Sequence, residues 1–273
     1  MVFVMDFLDG YTLLDHDLVE TGVVSNQVSK GLGEFMGKTH AATHCSLLSP
    51  ERTSALVKDF ENRPMRDIQL EYVFTKCYKE STEEQRAGLN VDEEFQNQVE
   101  ALKGAYNGGN ATNLALCHGD LHPGSVMVKG DDVKVIDPEF TVYGPPGLDV
   151  GSLLSGYVLA AVHQEFSNKR DAVSSIIEGI EAFWSAYQSE MQEGGISPEL
   201  MKEIEIESVG FTVAEVCRTA LEFAGGRKWL QFEDSEVKAN SRKAALKIVE
   251  RCMVGRHEGG MDLLLSEIKS VSS

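Results

Sequence analysis

Apolar positions recur with helical spacing through most of the chain. Val28, Leu32, Phe35, Met36 and Ala42 predict an amphipathic helix from a Ser25 cap to about Leu48. Ser49-Pro50 opens a second helix with Leu56 and Phe60 on one face, and residues 65–78 read as a third with Ile68 and Tyr72 inward. Val91, Phe95, Val99, Leu102 and Tyr106 form a clear stripe, ended by Asn107-Gly108-Gly109-Asn110. From about Gly147 the helical pattern returns, over 147–164, 169–192, 198–223, 236–254 and 260–270. Ser197-Pro198 marks one start and Gly225-Gly226 one stop.

Between these two helical runs the texture changes. Leu114–Cys117, Val126–Val128 and Val133–Ile136 are short apolar runs, the last two joined by Gly130-Asp131-Asp132. They predict a small buried hairpin flanked by Asp- and Gly-rich loops. Met1–Phe7 suits a strand and Asp9-Gly10 a turn. The expected class is therefore α+β, mostly α. No repeat, low-complexity segment or bilayer-length apolar run is present.

Composition narrows the chemistry. The 273 residues carry 25 Lys plus Arg against 43 Asp plus Glu, a net charge of −18. That disfavours nucleic-acid and anionic-membrane partners, since both are held by clustered cations. A nucleotide bound here would need a divalent cation. Five widely spaced cysteines without a CxxC pair fit reduced thiols, and no basic n-region precedes the first apolar residues, so a cytoplasmic protein is expected.

The informative stretch is 118–151, which reads HGDLHPGS, then IDPEF, then YGPPGLDVG. Asp120 follows a strand in a tight loop, where a carboxylate can take a proton from a hydroxyl. Asp137 and Glu139 end the hairpin, and their short oxygen-bearing arms suit a hard cation such as Mg²⁺. A base beside a metal site is what phosphoryl transfer needs. His40 and His44 stand i, i+4 without the Glu of a zinc-protease motif and read as a core or solvated pair. Cys117, Trp184 and Tyr187 read as core residues.

These motifs resemble the aminoglycoside phosphotransferase and choline kinase group of the protein-kinase-like fold. Ser125 in place of the usual Asn, with DPE as the metal loop, resembles the S-methyl-5-thioribose kinase branch, as do the NRP…VFTKCY region at 62–78 and EVCR at 215–218. The resemblance implies an ATP- and Mg²⁺-dependent kinase acting on the 1-hydroxyl of a thiomethyl ribose in methionine salvage. Asp120 would be the base and would face the substrate with Arg218. Asp137 and Glu139 would hold the metal, and Met5, Phe7 and Ser125 would contact the nucleotide. Asp149 would accept hydrogen bonds from the catalytic-loop backbone, and His118 and His122 would shape that loop.

Two departures stand out. The branch has a second Arg where Thr219 stands; Arg227, in the loop after the 198–223 helix, is a candidate replacement or a plain surface residue. Residues 1–10 read as a hinge, with no Gly-rich phosphate loop or strand Lys ahead of it within the 273 residues, and 11–273 read as a kinase-like C-terminal lobe, expected to be part of a longer protein. The alternatives are a non-catalytic binding protein derived from such a lobe, and a related kinase for choline or another alcohol. The partner is a small-molecule sugar or alcohol, with a homodimer left open.

Overall fold

The computed structural model describes residues 7–225 and 227–271. The Met1–Phe7 strand reading lies outside it except for Phe7, which is not in a strand and is 90% exposed. Asp9-Gly10 does turn, with Gly10 at φ 74°. A two-residue strand β1 (Thr12–Leu13) then leads into helix α1 (Leu14–Glu20). This helix was not legible in the sequence. It spans seven residues, of which only Leu14 and Leu18 are buried, among acidic neighbours.

Helix α2 (Asn26–Thr43) starts where expected, with the Ser25 hydroxyl accepting from the Gln27 N–H. It stops earlier than expected, at Thr43, and a 3₁₀ turn covers Cys45–Leu47. Its buried face includes Gly33 and Gly37 beside Leu32 and Met36. A Cβ at Gly37 would lie 2.9 Å from the Tyr187 carbonyl, so a bare backbone lets α2 lie close to α9 (Arg170–Glu193). That choice of face leaves Phe35 and Ala42 exposed, against expectation.

Helices α3 (Pro50–Asp59) and α4 (Arg63–Glu71) follow, then a π-helical turn at Tyr72–Lys76 and two short helices, α5 (Cys77–Glu80) and α6 (Glu83–Arg86). Ile68 and Tyr72 are exposed, not inward. The inward face of α4 belongs instead to Arg66, Gln69 and Leu70. Helix α7 (Glu93–Gly104) buries Phe95, Val99 and Leu102 as its periodicity requires, and runs into a second π-helical turn, Ala105–Gly109.

Among the described residues, five strands make two small antiparallel sheets. β2 (Ala115–Cys117) pairs with β5 (Val142–Gly144), and β3 (Val126–Lys129) pairs with both β1 and β4 (Asp132–Val135). The 126–136 hairpin forms with a Gly130-Asp131 turn, but β4 is an edge strand and half exposed, so the hairpin is not buried throughout. The sequence of β5 suits a loop; its partner β2 supplies the ladder that this Gly- and Pro-rich stretch does not advertise.

The C-terminal half is helical. α8 (Gly147–Phe166) is buried along nearly its whole length and packs on α9 and α10 (Pro198–Ala220). A helix apolar all round belongs at a core. α11 (Ser235–Val271) joins the two segments anticipated at 236–254 and 260–270, with the backbone broken at Gly260 (φ 52°, ψ −139°). Among the described residues, no helix is long and apolar enough to cross a membrane. The expected α+β, mostly helical class is what the chain forms.

Candidate active site

The loop after β2 carries Asp120, and its shape is set from behind by Asp149 on the first turn of α8. Asp149 Oδ2 accepts from the His118 N–H at 2.7 Å and Oδ1 from the Gly119 N–H at 2.8 Å. Asp149 is 2% exposed, so its charge is spent on these donors and on His40 Nε2 at 3.3 Å. His40 in turn meets the Tyr187 hydroxyl at 3.0 Å through Nδ1. His40, Cys117 and Asp149 place their ligand atoms within 4.8 Å of one another. Both Asp149 oxygens and both His40 nitrogens already have partners, so the cluster works as a buried brace.

Two further histidines shape the loop, as the sequence suggested. His118 Nδ1 lies 3.4 Å from the Asp120 N–H, which leaves Nε2 to donate to the Ile136 carbonyl at 2.9 Å. That bond ties the Asp120 loop to the residue before Asp137. His122 Nδ1 accepts from the Gly124 N–H at 2.9 Å. Its Nε2 lies 3.7 Å from Asp120 Oδ2. Burial, then Arg227, pushes His122 down to about 4, so at neutral pH this is a contact with a neutral ring and not an ion pair.

Gly119 adopts φ +90°, and a Cβ there would overlap the Phe140 carbonyl, so this position needs glycine. Ser125 is 4% exposed; its hydroxyl donates to the Asp120 carbonyl at 3.0 Å and its own carbonyl accepts from the Ile136 N–H. Met5 lies outside the described residues.

Asp120 keeps about a quarter of its side-chain surface exposed (26%). Burial nevertheless dominates its titration, and with the charge of Glu215 it raises the carboxyl to about 6 against the opposing pull of Arg227, Arg218 and His118. Glu215 lies on α10 and is buried. Arg218 grips it from one turn away, with Nε at 3.1 Å and Nη2 at 2.6 Å from Oε2. Arg227 comes from the following loop to 3.7 Å of the same oxygen. Burial alone would raise the Glu215 carboxyl, but the two guanidinium groups hold it below its ordinary value. Two arginines and one glutamate thus border Asp120. Arg227 also lines a cavity of about 650 Å³ with Lys169, Lys228 and His163.

Asp137 sits in the left-handed region (φ 66°, ψ 56°) at the start of a 3₁₀ turn, Pro138–Phe140. Its side chain and that of Glu139 are exposed, and neither carboxylate has a hydrogen-bond or ion-pair partner among the described residues. Two open carboxylates, two residues apart, are a donor set that suits a hard divalent cation.

Three contributors were missed in the sequence. Glu215 and Asn62 were noted only within motifs, and Gln69 went unremarked. The available signal was a glutamate one helical turn before Arg218, and polar residues on one face of α4, beside the Pro138–Phe140 turn.

Residues 2–186 match the model of the phosphotransferase enzyme family known as APH. Among curated proteins, methylthioribose kinase from Exiguobacterium sibiricum is 26% identical over 266 residues, covering 90% of this chain and 66% of that protein. The namesake from Bacillus cereus strain AH820 is 28% identical over 264 residues, with 90% and 66% covered. The chain therefore spans about two thirds of the length of these relatives. Among solved structures, ethanolamine kinase from Plasmodium vivax superposes with a TM-score of 0.44 at 16% identity, over 90% of this chain and 67% of that one. The match across residues 2–186, which contains the HGD, DPE and GLD motifs together, makes this chain a member of the APH phosphotransferase enzyme family.

Proposed function

We propose that the protein is a small-molecule kinase that transfers the γ-phosphate of ATP to an alcohol, with the 1-hydroxyl of S-methyl-5-thioribose as the acceptor the relatives favour. The observation that carries this reading is Asp120 itself. It is a partly exposed carboxyl raised to about 6, on a loop braced by Asp149 and bordered by Arg218 and Arg227. A base that titrates just below neutral pH is ionised when needed, and strong enough to take a hydroxyl proton as the oxygen becomes a nucleophile.

In this mechanism Asp120 orients the acceptor hydroxyl and receives its proton. Arg218 and Arg227, already turned toward Glu215, offer N–H donors to the acceptor's oxygens; Arg227 takes the place of the second arginine lost at Thr219. Asp137 and Glu139 would hold Mg²⁺, which when bound neutralises charge on the transferred phosphate. Phe7, Met5 and Ser125 are assigned to the nucleotide side, with Ser125 also closing the Asp120 loop.

The test is turnover of the protein with ATP, Mg²⁺ and methylthioribose, choline or glucosamine, read as ADP release. Replacing Asp120 with Ala should lower turnover at least ~10²-fold, the low end for a positioned general base. Unchanged turnover removes Asp120 as base. Preference for choline over the sugar would move the protein to a neighbouring acceptor class. Asp137→Asn and Glu139→Gln should each raise the Mg²⁺ concentration needed for half-maximal rate.

A further inference from the structure

Helix α4 is only nine residues long, yet three polar side chains on or beside it reach carbonyls in other parts of the chain. Asn62, just before the helix, donates from Nδ2 to the Glu139 carbonyl at 2.8 Å and to the Thr141 carbonyl at 3.1 Å. Arg66 donates from Nη2 to the Tyr143 carbonyl of β5 at 3.1 Å and from Nη1 to the Tyr106 carbonyl. Gln69 donates from Nε2 to the Gly119 carbonyl at 2.6 Å. Spacings of four and three place the three residues on one helix face.

The helix gives up local stability for these contacts. Asn is favoured as an N-cap because its side-chain oxygen accepts an orphan N–H. Asn62 makes no such bond, and it sits in the left-handed region (φ 39°, ψ 50°) with its amide turned to the Glu139 loop. Arg66 is 6% exposed and has no carboxylate partner among the described residues; its charge meets backbone carbonyls and the face of Tyr106, 4.9 Å from the ring centre. The π-helical turn Ala105–Gly109 brings Tyr106 to the same place, where its hydroxyl donates to Gln69 Oε1. Both ends of the Gln69 amide are thereby committed. Single π turns inside helices are often kept at functional sites, and here two adjoin the same three residues.

We infer that Asn62, Arg66 and Gln69 form a strut that sets the spacing between the Asp120 loop and the Asp137–Glu139 loop. This inference rests on the phosphotransfer reading of those two loops. The Gly119 peptide is held at its N–H by Asp149 and at its carbonyl by Gln69, which fixes the direction in which the next residue, Asp120, points. The Glu139 peptide is held at its carbonyl by Asn62. Because one short helix carries both holds, a shift of either loop is passed to the other. None of the three side chains is assigned to substrate, so they are positioning residues. An error of about 1 Å in such spacing costs roughly 10²-fold in rate.

The experiment reads two properties on the 273-residue chain without needing turnover: Mn²⁺ binding by electron paramagnetic resonance, and the Asp120 titration by carboxyl NMR. Asn62→Gly keeps the left-handed backbone and removes the amide. It should weaken Mn²⁺ binding about tenfold, as loss of an outer-shell support does. It should also move the Asp120 midpoint by about half a unit or more, although the Asn62 side chain donates only to the Glu139 and Thr141 carbonyls among the described residues. Gln69→Met should do the reverse, moving Asp120 directly and weakening Mn²⁺ at a distance. Where turnover is measurable, both should lower kcat more than they change KM for the acceptor. If each variant disturbs only its own loop, or neither disturbs either, the strut is refuted. If the unsubstituted chain binds no Mn²⁺, the metal reading fails, and the effect of Asn62→Gly on Asp120 still decides the strut. Should Gln69→Met not fold, that same arm decides it.

Discussion

Replacing Asp120 with Asn should stabilise the fold while removing its chemistry. The carboxyl titrates at about 6 instead of its ordinary 3.8, because burial, then the Glu215 charge, outweigh the nearby cations. A carboxyl raised in the folded state binds its proton more tightly there than in the unfolded chain. Stability from this group is therefore full below about 3.8 and declines as pH rises through 6. Two pH units correspond to about 3 kcal/mol, and the quarter of the side chain open to solvent trims this to about 1.5–3 kcal/mol at pH 8. At pH 5 about half of that remains, because the folded carboxyl is then mostly protonated. Asn has the same shape and no charge to desolvate. At ~2–4 °C per kcal/mol for a chain of this size, the variant should melt about 3–12 °C higher than wild type at pH 8. The gain should be about half as large at pH 5. Differential scanning calorimetry of both proteins at both pH values measures this. A variant no more stable at pH 8, or a gain that does not shrink at pH 5, would refute the assignment of a strained carboxylate.

Two more outcomes follow from the same neighbourhood. Gly119→Ala should destabilise by roughly 1–3 kcal/mol from its left-handed backbone alone, and by more through overlap with the Phe140 carbonyl, seen as a lower urea midpoint. Burial is the main cause that raises Asp120; Glu215→Gln removes the second, its charge, and leaves two arginines facing the carboxylate, so the acid limb of the pH–rate profile should slide below 6. The same variant should lose about 3–5 kcal/mol of stability, since it breaks a buried ion pair from one side; a limb that moves toward alkaline pH would contradict this electrostatic picture.

The parts of this structure that could be read in advance are those where one residue's local chemistry decides the outcome. Ser25, Ser49 and Ser197 each cap the helix they were expected to cap. The Phe95–Val99–Leu102 stripe is buried, and the two-residue turn closes the 126–136 hairpin. The loop motif placed Asp120, and Asp149 braces it as anticipated. Features that depend on distant partners were not legible. Residues 142–144 become a strand only because β2 lies beside them. Ile68 and Tyr72 follow a helical stripe yet face solvent, because Arg66 and Gln69 take the inward side to reach carbonyls 40 to 77 residues away. A buried Arg in a short helix looks from sequence like any solvated cation. Arg227 lies in between: its residue type marked it as a candidate, and only the folding back of its loop brings it to Glu215.

The brace behind the HGD loop also has a consequence in time. His40, Asp149 and Tyr187 are far apart in the chain, and the cations beside Asp120 come later still, at 218 and 227. A ribosome adds about 5–20 residues per second. For several seconds after the Asp120 motif has been made, the nascent chain carries every letter of it but has neither the tyrosine that steadies His40 nor the arginines that flank the carboxylate. The order of synthesis therefore delays the full surroundings of Asp120 until α10 and its following loop have been made, so the motif exists well before the charges that set its carboxylate's environment.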